Sequence, residues 1–255
     1  MELGLTSVTF RNLGYEEVIE HCKVCGISQI EWGSDIHVKE NDFEKARKIS
    51  EATKKEGIRV CSYGSYYELC VNENFQEVFR SYLETAHILN AKIIRLWAGT
   101  IGSEQISCEY YERAVKEARY LCDMAKDYNI TLAFEFHSGT ICDNADSAIQ
   151  LYQDINRENC GLYYQYDIRL SEKENLIALE KMVPYIKMIH LYYYNNERKQ
   201  VSLKDGIPFW QEAIKIIRNY QLNVNLLFEF LMDSSVEGLM LESQIMSDLL
   251  KMDIV

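Results

Sequence analysis

Only two prolines interrupt the 255 residues, and no stretch is rich in serine and glycine. A chain with neither feature offers no obvious linker, so one domain over residues 1–255 is expected. Basic residues are scarce as well: 27 Lys and Arg stand against 39 Asp and Glu, a net charge of -12. The basic clusters Lys54-Lys55 and Arg198-Lys199 are diluted by acids. The phosphate-facing patch that a nucleic-acid partner requires is therefore missing. No apolar run reaches the roughly 18 residues of a membrane helix. Met1-Glu2-Leu3-Gly4 opens without the basic stretch and apolar core of an export signal. These absences predict a cytoplasmic protein with neither nucleic acid nor membrane as partner. Cysteine is not scarce: there are eight, at 22, 25, 61, 70, 108, 122, 142 and 160. In the cytosol they stay reduced. Cys22 and Cys25 form a C-x-x-C inside an apparent helix, with no second pair at zinc-finger spacing, so core packing is the reading.

What is present is alternation. Short β-branched or aromatic runs alternate with longer amphipathic stretches: Leu3–Phe10 with Tyr15–Cys25, Ser28–Trp32 with Asp42–Glu56, Ile58–Tyr63 with Phe75–Asn90, and Ile93–Ala98 with Ser107–Tyr128. Then come Ile130–Phe136 with Asn144–Ile155, Gly161–Asp167 with Glu172–Val183, Ile186–Tyr192 with Pro208–Tyr220, and Asn223–Phe230 with Val236–Leu250. Eight strand-helix pairs in a chain close to 250 residues predict a single (β/α)8 TIM barrel. An open doubly wound sheet competes, but no glycine-rich fingerprint follows the first strand. Asp42 is placed to cap the second helix, and Gly57 suits the left-handed position after it. Ser171-x-x-Glu174 and Ser234-x-x-Glu237 read as capping boxes, and Pro208 fits a first helical turn. The fourth and eighth strands, Ile93–Ala98 and Leu226–Phe230, are continuously apolar, as strands buried on both faces are.

Barrel chemistry sits at the C-terminal strand ends. The second half of the chain places Glu135, Asp167, His190 and Glu229 there, each at the end of an apolar run. A carboxylate left unpaired in such a place costs several kcal/mol, so each needs a partner. Any one alone reads as a structural ion pair. Four on consecutive strands read as a cage for one divalent cation, Mn2+ or Mg2+ first and Zn2+ or Co2+ next. Glu31, Trp32, Arg95, Trp97 and His137 are candidate substrate contacts; the plainer reading of each is packing at the barrel mouth.

At these residues the chain resembles the sugar phosphate isomerase/epimerase family, the xylose isomerase-like barrels. Leu132-Ala133-Phe134-Glu135-Phe136-His137 resembles the fifth-strand pattern, Tyr166-Asp167 the sixth, Ile186–Leu191 the seventh and Leu227-Phe228-Glu229 the eighth. Gly206–Trp210 resembles the entry to a late helix, Ile30-Glu31-Trp32 the second strand, and Arg95–Gly99 the fourth. The resemblance implies that Glu135, Asp167, His190 and Glu229 ligate one divalent cation and that Glu135 and Glu229 also act as acid and base. It thus implies a sugar or sugar phosphate isomerase/epimerase working through a metal-stabilised enediolate. The substrate would be a small sugar or polyol, and a homo-oligomer is compatible. Two departures stand out. Leu170 occupies a position where many relatives have His or Asn, and Tyr192-Tyr193 stand where many have Lys and an acid. They leave open a metal-binding barrel without turnover; the other alternative, an inosose-type dehydratase, starts with the same proton abstraction and then expels a hydroxyl. A repair nuclease of the endonuclease IV type also shares the barrel. It requires a trinuclear zinc cluster, however, and only five histidines are present, with His21 and His87 on apparent helices.

Overall fold

The computed structural model describes residues 1–195 and 197–252. The apolar runs form strands β1 (Glu2–Thr6), β2 (Gln29–Gly33), β3 (Arg59–Glu68), β4 (Ile93–Trp97), β5 (Thr131–Glu135), β6 (Cys160–Tyr164) and β7 (Ile186–Leu191). Two short strands follow, β8 (Tyr193–Tyr194) and β9 (Gln200–Val201), and then β10 (Asn225–Phe228). The amphipathic stretches form α1 (Tyr15–Val24), α2 (Phe43–Lys55), α3 (Phe75–Ile88), α4 (Cys108–Lys126), α5 (Ala145–Ile155), α6 (Glu172–Met182), α7 (Ile207–Asn219) and α8 (Val236–Lys251). Eight parallel strands close in the order β1-β10-β7-β6-β5-β4-β3-β2, so the expected TIM barrel is present. Leu3 pairs with Leu226 and Leu5 with Phe228, joining the first strand to the last.

The local signals act as their chemistry predicts. The Asp42 side chain accepts from Lys45 N, and Gly57 takes a φ of 72° after α2. Ser171 and Glu174 form a reciprocal capping box, and Pro208 lies in the first turn of α7. One cap is shifted by a residue. Ser235, not Ser234, accepts from Gly238 N at the start of α8.

Several extents differ from the sequence reading, among them the third strand, which runs on from Tyr63 to Glu68. The run Leu3–Phe10 is not all strand: Ser7–Phe10 is a buried 3-10 turn. Ser7 Oγ accepts from Gly33 N at 2.9 Å and lies 3.0 Å from His37 Nδ1, so this turn folds over the end of β2. Continuous apolarity could not distinguish a buried turn from a strand. β6 ends at Tyr164, leaving Asp167 in the loop beyond it. The antiparallel β8–β9 ladder lies between β7 and α7, outside the eight strand-helix pairs read from the sequence.

The core has two parts. Most buried side chains fill the layer between barrel and helices. A smaller cluster of Cys61, Ala133, Tyr163, Met188 and Leu227, with Ile93 against it, fills the barrel. The eight cysteines are free. Among the described residues, no helix is long and apolar enough to cross a membrane.

Candidate metal centre

Alternation along a strand sends every second side chain inward. Four members of the interior cluster therefore have a polar group one pleat above them: Ile93 has Arg95, Ala133 has Glu135, Met188 has His190 and Leu227 has Glu229. The register staggers them from strand to strand: Leu227, one pleat below Glu229, pairs with His190, and Ala133, one pleat below Glu135, pairs with Arg95. Among the described residues, the one converging group of three or more potential ligands is Glu135, His190 and Glu229, with donor atoms within 4.8 Å of one another. His190 Nδ1 is 3.1 Å from Glu229 Oε2 and 3.5 Å from Glu135 Oε1.

Beneath this group lies a buried ionic network. Arg95 Nε donates to Glu31 Oε1 at 3.3 Å, and Arg95 Nη1 donates to Glu135 Oε2. Glu31 also accepts from Ser62 Oγ at 2.8 Å and from Tyr163 across the barrel at 2.5 Å, and its Oε1 lies 3.6 Å from His190 Nε2. Gly64 allows this closeness. A Cβ there would sit 2.8 Å from Glu31 Oε1 and 2.9 Å from Arg95 Nη2. Burial opposes charge on Glu31, yet Arg95 and His190 bring its carboxyl down to about 2. Glu135 is likewise held well below the usual range, its burial outweighed by Arg95 and His190. Burial lowers His190 too, but Glu229, Glu135 and Glu31 raise it well above an ordinary imidazole.

A divalent cation fits this arrangement on two counts. Glu229 Oε2, on the carboxylate that faces His190 Nδ1, is buried without a hydrogen-bond partner, a state that costs about 1–3 kcal/mol. The 3.1 Å approach of Glu229 to His190 is close, but it is not an aligned hydrogen bond. With His190 neutral, as a metal ligand must be, three carboxylates against one guanidinium leave a surplus of two negative charges, which one divalent ion balances.

The other expected residues divide. Glu31 and Arg95 join the cluster. Trp97 Nε1 donates to Glu135 Oε2, and its ring stacks on His137 at 4.7 Å and 24°, forming a wall at the mouth. Asp167 lies outside the converging group and is paired instead with Arg169. Trp32 is fully buried in the outer core, edge-on to His37, and does not reach the mouth. Its neighbour Glu31 faces the interior, so alternation turns Trp32 outward. The departure residues are occupied structurally: Tyr192 donates to Tyr166 O at 3.0 Å and Tyr193 to Glu172.

Sequence reasoning passed over Ser62, Tyr163, Gln165 and Arg169. Counting back in twos from Asp167 would have found Gln165 and Tyr163; nothing local marks Ser62. Gln165 Oε1 lies 3.4 Å from His190 Nδ1, while Gln165 Nε2 donates to Phe136 O. A cavity of about 650 Å3 lined by Cys70, Phe75, Arg113, Glu117 and Tyr120 contains none of the cluster residues.

A family model described as xylose isomerase-like TIM barrel matches residues 19–244. A 3-dehydroshikimate dehydratase from Bacillus anthracis is 19% identical over 245 residues, covering 86% of this chain and 88% of that protein. The crystal structure of the probable 3-DHS dehydratase AsbF from Bacillus anthracis superposes with a TM-score of 0.82 at 17% identity, covering 97% and 99% of the two chains. The IolI protein with a bound zinc atom gives 0.76 at 17% identity, covering 98% of each.

Proposed function

Because the chain belongs to the xylose isomerase-like TIM-barrel family, we propose that it is a divalent-cation-dependent enzyme that removes the proton beside a carbonyl in a small polyhydroxylated molecule. The reading adopted for the product is isomerisation or epimerisation of a sugar or sugar phosphate. One observation carries the proposal: the buried Glu135, His190 and Glu229 converge, and Glu229 Oε2 among them has no hydrogen-bond partner.

Glu135, His190 and Glu229 would hold the cation, with Asp167 as a fourth ligand if it leaves Arg169. Mn2+ or Mg2+ suits the carboxylate-rich donor set, and Zn2+ or Co2+ is accommodated by the imidazole. A bound cation supplies positive charge where negative charge develops on the substrate's carbonyl oxygen. Glu229 removes the proton with the carboxylate oxygen that does not hold the cation. Glu135 Oε2 already accepts from Arg95 and Trp97, which fixes its orientation and weakens it as a base. The stacked Trp97 and His137 rings offer a flat apolar surface to a sugar face.

The same tethering of Glu135 favours dehydration as a second reading. Epimerisation asks for a second free acid on the opposite face, whereas elimination needs one base and then loss of a hydroxyl. Incubating Mn2+-loaded protein in D2O with ketohexoses, inososes and 3-dehydroshikimate, followed by NMR, tests both. Deuterium gain with the hydroxyls retained is the outcome expected for isomerisation. Loss of a hydroxyl selects dehydration, and exchange into none of them sinks the proposal. Glu229→Gln should slow exchange by about 10²–10⁴-fold.

A further inference from the structure

Asp167 lies three residues beyond the end of β6, and its carboxylate is committed to Arg169. Arg169 Nε lies 3.0 Å from both Asp167 oxygens, Arg169 Nη2 donates to Oδ2, and the Arg169 backbone N donates to Oδ1 at 2.8 Å. The backbone around Asp167 is fixed independently. Asn175 accepts from Asp167 N at 2.8 Å and donates to Asp167 O at 2.9 Å. The Asp167 side chain is only 9% exposed, that of Arg169 44%. Arg169 is therefore the outer, movable partner. Its other tie is a single bond from Nη2 to Asp143 O at 2.8 Å, and it lines a rim cavity of about 300 Å3 with Gly102, Ser103, Asp143 and Asn144. The Asp143 carboxylate is occupied by Ser103 N and Oγ, so the guanidinium hydrogen-bonds to that residue only through its carbonyl.

A carboxylate held bidentately by a guanidinium cannot also offer those lone pairs to a cation. We propose that Arg169 guards the cation site: it holds Asp167 in a bidentate ion pair that a cation must displace, and an oxyanion on the substrate favours that displacement by giving the guanidinium a new partner. The proposal rests on the reading of Glu135, His190 and Glu229 as a cation site. It adds a substrate class, hydroxy-carbonyl compounds carrying a carboxylate or phosphate-like group. It also adds a coupling between cation and substrate, which must be reciprocal.

The test is calorimetric titration of Mn2+ into the intact protein and its variants. Arg169→Gln should bind Mn2+ about tenfold more tightly than the unaltered chain, equivalent to about 1.4 kcal/mol. Asp167→Asn and the double variant should bind Mn2+ equally, because the effect of Arg169 runs through Asp167. Sulfate and acetate, compared with chloride at equal ionic strength, serve as tetrahedral and planar oxyanion probes. At least one should tighten Mn2+ binding to the unaltered chain and neither should do so in Arg169→Gln; which of them acts separates a phosphate-like from a carboxylate substrate group. Unchanged or weaker Mn2+ binding by Arg169→Gln overturns the proposal. So does an equal gain in the Asp167→Asn background, which would mean a general charge effect, and so does failure of both anions. If the unaltered chain takes up no Mn2+ at all, what fails is the cation-site reading itself.

Discussion

At the scale of single residues, the site is organised by where carboxylates find their counter-charges. Glu31 shows it best. It is fully buried and is engaged by Arg95, Ser62 and Tyr163, with His190 close above. Glu31→Gln leaves Arg95 with Glu135 alone and should destabilise the fold by about 3 kcal/mol at neutral pH. The sign of its pH dependence follows from the depressed carboxyl. The folded chain protonates Glu31 at about 2 and the unfolded chain near the ordinary 4.5, so the unfolded state takes up the proton first. This contribution is therefore present above pH 4.5 and fades as pH falls toward 2. Urea unfolding across that window should show the difference between the two proteins shrinking on acidification. A constant difference would show that the ionised carboxylate is not what matters. At this scale Glu135, His190 and Glu229 were legible in the sequence, because a charged group inside an apolar run needs a compensating partner. Arg169 was not, since an exposed arginine two residues from an aspartate looks like solvated loop. Trp32 was misplaced although the information was present: adjacent strand residues face opposite ways, so Glu31 and Trp32 could not both line the mouth.

At the scale of elements, strand and helix succession was legible because each apolar run was long enough to be buried on both faces. The eye could not place ends where burial continued through a turn, as at Ser7–Phe10, or where a ladder has only two residues a side, as in β8–β9. Capping shows how one residue decides. Ser235 accepts from Gly238 N, whereas Ser234 is exposed and makes no cap at α8. Ser235→Ala should therefore lower stability by about 1 kcal/mol. Ser234→Ala should lie within about 0.5 kcal/mol of the unaltered chain. Chemical denaturation of both variants checks the register, and the opposite order would restore the frame in which Ser234 and Glu237 form the box.

At the scale of the whole molecule, the three converging groups come from β5, β7 and the end of β10, which together span much of the barrel wall. A cation held there ties these strands together, so its binding adds to global stability. At a hundred times its dissociation constant, Mn2+ should contribute about 2.7 kcal/mol. For a chain of this size that is a rise in Tm of roughly 5–10 °C. Calorimetry should show the rise, its reversal by a chelator and its near-absence in Glu229→Gln. No rise with saturating Mn2+ would count against the site.

The seam between β1 and β10 has a consequence for how the protein is made. Thr9 donates to Phe228 O across 219 residues, and Leu3 waits for Leu226 before its edge is satisfied. During synthesis β1 emerges before the other strands of the barrel and its edge toward β10 waits for the last of them, so that edge is exposed to other chains while the rest of the barrel is made. Glu229 arrives with that same final strand. A nascent chain stalled before it would carry Glu31, Arg95, Glu135 and His190 but lack the third converging ligand, and metal uptake would serve as a signal that the last strand is in place and the ring shut.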